Sequence, residues 1–192
     1  KNGKGMLTAS LDDQTVQVKV SVSGLGKDYH PDFISEVNPV ISKLGCNAGT
    51  CHGAKDGKNG FKLSLRGYDA LYDIRGFTDD MASRRVNVAA PERSLMLLKA
   101  TGNVPHEGGQ LIQEDSRYHR IIKTWISNGA LVDMKARRVK EIKLYPQNPV
   151  VQEIGATQQF RVVAFYEDGL IRDVTREAFV TSGNGEVAEH DA

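Results

Sequence analysis

Cysteine is scarce in this 192-residue chain: Cys46 and Cys51 are the two it has, and tryptophan occurs once, at Trp125. One cysteine pair excludes the disulfide framework of small secreted scaffolds. Charge of one sign is also lacking. Against 25 Lys and Arg stand 24 Asp and Glu, a formal net charge of +1, so the basic excess of a nucleic-acid binder is absent and no nucleic-acid partner is expected. Runs such as KARRVK at 135–140 read as solvated linker. No apolar run approaches the roughly 18 to 20 residues of a membrane helix, so no membrane span is expected. The frames G-x-S-x-G, H-E-x-x-H and G-x-x-x-x-G-K-[ST] do not occur, which removes the familiar hydrolase, zinc-protease and phosphate-loop chemistries. The start KNGKG has neither an initiator methionine nor an apolar signal core, as in a processed protein or a piece of a longer one.

What is present changes character along the chain. Val16, Val18, Val20 and Val22 alternate with polar residues, the period of a half-buried strand, and LDDQ before them predicts a hairpin turn. From Pro31 the period becomes helical. Phe33, Val37, Ile41 and Leu44 share one face of a helix that should end at Gly45, with Pro39 kinking or restarting it. GAKDGKNG at 53–60 predicts an exposed connector. ERSLMLLKA at 92–100 predicts a short helix, and EDSRYHRIIKTWISNGA a longer one carrying Tyr118, Ile121, Ile122, Trp125 and Ile126 on its apolar face. Strand period returns after residue 138, with a hairpin at Glu167-Asp168-Gly169.

GCNAGTCHG, residues 45–53, gathers Cys46, Cys51 and His52 on one loop. Four chemistries compete for it. A Cys46–Cys51 disulfide would close so short a loop that little chain entropy is removed. Zinc wants three or four ligands, and no second Cys or Cys-His pair stands at ligand spacing. A redox dithiol prefers C-x-x-C in a βαβ context, which is missing. Covalent haem requires two thiols and an adjacent histidine on one loop, which is this set with two extra residues between the cysteines. Ala48 and Gly49 are small enough to let those residues bulge.

The helix entering the loop, the connector after it, the later VPHEGG loop and the closing YHRIIKTWISNGA helix together resemble a class I c-type cytochrome. GCNAGTCHGAKDGKNGFKLSLRGYD and RRVNVAAPERSLMLLKATGNVPHEGG are similar to the divergent cytochrome domain of large secreted planctomycete-type proteins, over about residues 31–133. The resemblance implies one covalent haem c on Cys46 and Cys51, His52 as proximal iron ligand, and His106 as distal ligand with Met96 as runner-up or the site left open. It also implies that Trp125 or Tyr118 packs where the first and last helices cross. Arg84 and Arg85 are candidates to pair with a haem propionate. His30 and His119 read as surface residues, and Met81 and Met134 as weaker ligand candidates.

Residues 139–192 resemble a bacterial immunoglobulin-like group 2 domain, through Q-F, Y-x-D-G-x-x-R-D-V-T and a late V-A, but its last strands are missing. Residues 1–27 look like those strands. The expected fold class is therefore multidomain α plus β: an all-α cytochrome c-like haem domain at 28–138 and an Ig-like β-sandwich contributed by 1–27 and 139–192. The expected function is extracytoplasmic electron transfer, at the periplasm, cell surface or outside the cell, with redox proteins as partners and no enzymatic activity beyond the haem's own. The terminal strands would pair within a chain, between chains in a head-to-tail filament, or with sequence beyond the chain. The alternatives are a structural or adhesive module with a Cys46–Cys51 disulfide, and a haem sensor or peroxidase with an open iron site.

Overall fold

The computed structural model describes residues 1–190 and divides the chain into two compact units, Lys1–His30 and the remainder from Pro31. The first unit is a hairpin of β1 (Gly3–Leu11) and β2 (Gln14–Val22), in antiparallel register from Gly3↔Val22 to Leu11↔Gln14. Asp12 turns it with φ 50°, a left-handed conformation that Asp tolerates. Every residue of this unit is exposed.

The second unit begins with a π-type turn, Phe33–Val37, that runs into α1 (Asn38–Lys43). Pro39 explains the break in helical period, since it has no N–H to continue the ladder and sits comfortably in a first turn. α2 (Ala70–Thr78) is capped by Asp69, whose side chain accepts from Tyr72 N at 3.0 Å. Pro91–Arg93 makes a 3-10 turn, and Ser94 then opens α3 (Leu95–Ala100). The longest helix, α4 (Arg117–Ser127), starts at Ser116 and stops before Gly129, whose φ is 96°. Its apolar stripe meets the first turn: Trp125 and Phe33, 1% and 0% exposed, stack with ring centroids 5.2 Å apart. Trp125 is thus the aromatic residue at that contact, while Tyr118 is half-buried and gives its hydroxyl to the Arg176 carbonyl at 2.7 Å.

A second sheet follows, in the order β3 (Val139–Tyr145), β4 (Arg161–Tyr166), β5 (Ile171–Asp173), all antiparallel. Asp168 and Gly169 form the β4–β5 turn, with Gly169 at φ 83°. Val162, Ala164 and Tyr166 of β4 are buried on the face that shares a cavity lining with Ile34 and Pro39. Ion pairs tie this region to the helical part, Arg172 of β5 to Glu36 of the first turn at 3.1 Å, and Glu177, just past β5, to Arg117 of α4.

The expected fold class is overturned. Among the described residues 23% are helical and 19% lie in strands, with four α-helices and two small antiparallel sheets, so the chain is mixed and the middle region is not an all-α cytochrome c-like domain. The cause is local. Turns occupy most of 44–69 and 79–94, where Gly45, Gly57, Gly60 and Gly67 take positive φ that no helix accommodates. In place of the expected sandwich strands there are two small sheets, a two-stranded one of β1–β2 and a three-stranded one of β3–β5 whose β4 face shares a cavity lining with helical residues. No helix among the described residues is long and apolar enough to cross a membrane.

Candidate functional site

Cys46 is placed by the end of α1. Gly45, at φ 77°, donates its N–H to the Ser42 carbonyl at 2.9 Å, and Cys46 N–H reaches the Ile41 carbonyl at 3.1 Å. These two bonds form a Schellman stop. They set the first cysteine at a fixed exit from the helix, partly buried against the core.

The four residues between the cysteines are wound up rather than stretched. Ala48 N–H donates to Gly45 O at 3.0 Å, Cys51 and Gly53 N–H both donate to Ala48 O at 2.9 and 3.0 Å, and His52 N–H reaches back to Cys46 O at 2.9 Å. That last bond brings the two ends of the motif together. Asn47 is 0% exposed and donates its Nδ2 to Ser42 Oγ at 2.8 Å, while Gly49 and Thr50 face solvent. The extra length is therefore absorbed by one residue turned in and two turned out. Gly53 is obligatory here, because a Cβ on it would lie 2.1 Å from the Asn47 carbonyl oxygen.

Both cysteines are free thiols. Burial pushes Cys46 up to about 11, and the neighbouring Cys51 adds to the rise. A redox dithiol relies on a thiol shifted down, and Cys46 is shifted the other way.

His52 is held by the connector. Its Nδ1 lies 3.0 Å from the Phe61 carbonyl, and its ring stacks on Phe61 at 4.7 Å. A carbonyl can only accept, so Nδ1 carries the proton and the Nε2 lone pair is left for a ligand. His106 repeats the arrangement, with Nδ1 3.1 Å from the Gly109 carbonyl and its ring against Gly108, where a Cβ would come within 2.9 Å of Cε1. His119 shows the opposite tautomer. Its Nδ1 accepts from Asp115 N–H at 3.2 Å, and it is 6% exposed, so it is a buried helix-start residue rather than a surface one. His30 is exposed.

The His52 and His106 segments are joined by an ion pair between Lys58 and Glu107 at 3.1 Å. Burial holds the His52 imidazole below its ordinary value of 6.5; the Phe61 carbonyl works the other way, and charge on His106, Arg85 and Lys58 lowers it further. The unfolded chain then binds more protons than the folded one between the lowered value and 6.5. Stability is whole above that window and falls as pH drops through it. In the haem-free chain the melting temperature should decline as pH falls below the ordinary histidine value of 6.5, and His52→Gln should flatten the decline.

Arg85 is 7% exposed, and its guanidinium donates to the Gly76 carbonyl at 2.7 Å and the Gly60 carbonyl at 2.8 Å while lying 4.4 Å over the Phe61 ring. It is committed to clamping the turn that presents the Phe61 carbonyl to His52. Arg84 is exposed. Arg85→Ala should cost about 2–3 kcal/mol in urea unfolding, since charge-assisted bonds are lost and carbonyls are left unpaired; Arg84→Ala should stay within about 0.5 kcal/mol. Met96 lies in α3, partly buried against the core, and Met81 and Met134 are 53% and 45% exposed.

Sequence reasoning missed three parts of the site. The 53–60 connector is exposed at Lys55, Asp56, Asn59 and Gly60 as expected, but it closes a tight turn in which a Cβ on Gly57 would meet Phe61 O at 2.4 Å. Phe61 contributes a backbone carbonyl, which leaves no mark on residue type. Asp73, 1% exposed, anchors the following segment by accepting from Ser64 N at 2.5 Å and Ser64 Oγ at 2.7 Å, and its burial raises its carboxyl above the usual range.

The donor set fits a covalently attached haem: two free thiols on one closed loop and two histidines in the ligating tautomer. Asn47 Oδ1, on the residue after Cys46, is buried without a hydrogen-bond partner. Among the described residues no three His, Cys, Asp or Glu side chains converge as a cage for a bare metal ion. Two cavities, of about 350 and 330 Å³, open beside Arg161 and beside Ile142, away from this loop. Comparison with protein-family models, curated proteins and solved structures finds no match to this chain.

Proposed function

We propose that the chain is an extracytoplasmic electron carrier that holds one haem c, attached through Cys46 and Cys51 and ligated by His52 and His106. The observation that carries this reading is the shared tautomer of the two histidines. Each gives its Nδ1 proton to a backbone carbonyl, Phe61 for His52 and Gly109 for His106, so each keeps Nε2 as a lone-pair donor. The depressed proton affinity of His52 favours the neutral, ligating form.

Haem, when bound, supplies a one-electron iron couple whose potential depends on the axial ligands. The chain's own residues do the holding. The α1 stop and the Cys46–His52 backbone bond fix both thiols, and Arg85 and Phe61 orient His52. Arg84, exposed nearby in sequence, is left as the arginine free to meet a propionate, and redox proteins are the partners such a carrier would serve.

His106→Ala in the matured protein tests the ligand assignment. The resting spectrum should move from six-coordinate low-spin to five-coordinate, with carbon monoxide binding gained in the ferrous state. An unchanged spectrum would remove His106 and return Met96 or another group to consideration. Rapid carbon monoxide binding by the wild type would instead favour the open-site sensor or peroxidase.

A further inference from the structure

The β1–β2 hairpin is built to be covered. Its register pairs Gly3 with Val22, Gly5 with Val20, Leu7 with Val18, Ala9 with Val16 and Leu11 with Gln14. Side chains alternate across a strand, so one face carries seven apolar side chains and two glycines at these ten positions. The opposite face is polar except for Met6, which stands opposite Lys19. Yet Leu7, Val16 and Val18 are 62%, 64% and 54% exposed. A two-stranded ribbon alone is marginal in water.

The same chain carries an acceptor. Among the described residues β3 pairs with β4 alone, so its outer edge has no strand partner. Val139, Ile142 and Leu144 stand opposite the buried β4 residues Tyr166, Ala164 and Val162 and share their face, but are 49%, 62% and 46% exposed. A cavity of about 330 Å³ lined by Ile34, Pro39, Val139 and Ile142 opens beside them. Charge agrees with a pairing: the hairpin turn carries Asp12 and Asp13, and Lys4 and Lys19 lie on its polar face, whereas β3 and the two residues before it hold Arg137, Arg138, Lys140 and Lys143 against Glu141.

We propose that the hairpin of one copy docks its apolar face on the β3 side of a second copy's sheet, so that copies join head to tail. The two surfaces differ, and each carries apolar side chains that are about half exposed or more. A contact between unlike patches does not close on itself as a two-fold dimer does, and repeats into a ring or filament. Burial of paired apolar sheet faces is the packing that sandwiches use. The proposal is independent of haem.

The test is the mass of the full chain by light scattering over a concentration series, with imaging of the largest species. Wild type should grow beyond a dimer, and Gln17→Lys, on the polar face, should do the same. Val18→Lys and Ile142→Lys should each be folded monomers by circular dichroism. Mixed in equal amounts they should form a one-to-one dimer, because one keeps a working acceptor and the other a working hairpin. A wild type that stays monomeric, as docking within its own chain would give, overturns the proposal. So does assembly that survives Ile142→Lys but not Val18→Lys, which would mean hairpin on hairpin, and so does a mixture that fails to pair.

Discussion

Gly53→Ala is expected to abolish haem attachment and to cost the fold about 2–3 kcal/mol, the range of forced overpacking. A methyl at this position would sit 2.1 Å from the Asn47 carbonyl oxygen, 2.7 Å from its carbonyl carbon and 2.9 Å from Ala48 O. All three neighbours are backbone, so no side-chain rotation relieves the contact. The loop would have to open, and opening it breaks the Gly53 N–H bond to Ala48 O and strains the His52 N–H bond to Cys46 O. The thiols and His52 would then no longer share one fixed frame. The check is covalent haem content beside urea unfolding. Gly49→Ala is the control, since a Cβ there meets only Leu65 Cδ1, at an ordinary 3.7 Å, and should leave both readouts near wild type.

Trp125→Ala should be the most destabilising single change, by about 3–5 kcal/mol, lowering the melting temperature by roughly 10 °C. Three links fail together. The indole stacks on Phe33 and lies among the core residues, and its Nε1 donates to the Leu131 carbonyl at 2.9 Å. That bond ties down the chain after Gly129. Trp125→Phe separates the contributions, keeping an aromatic ring while losing the hydrogen bond at a cost on the order of 1 kcal/mol, plus some lost packing. If Trp125→Ala melts within a few degrees of wild type, the Phe33–Trp125 contact is not what joins the first turn to α4.

Periodicity located the elements whose residues report their own environment. Phe33, Val37, Ile41, Ile121, Ile122, Trp125 and Ile126 are buried as their spacing predicts, and Gly45 ends α1 because a positive φ is required there. The hairpin at Asp12–Asp13 and the turn at Gly169 were legible for the same reason. The global class was not. Resemblance over 31–133 implied an all-α domain, but glycine-rich turns occupy the space between short helices, and their packing depends on backbone groups. The site divides in the same way. Cys46, Cys51 and His52 announce themselves by type and spacing, whereas the Phe61 and Gly109 carbonyls that set the histidine tautomers have no side-chain signature. Arg85 was visible as an arginine; only the structure shows it committed to Gly60 and Gly76.

Covalent haem on Cys46 and Cys51 is tested by a spectrum and haem stain of the matured protein after full denaturation. A c-type spectrum is expected, with the haem remaining on the polypeptide through a denaturing gel, and loss of the stain in the Cys46→Ala, Cys51→Ala double variant. A matured protein with no Soret band, an intact mass equal to the bare chain and a Cys46–Cys51 disulfide would contradict it, and would leave a structural surface module in its place.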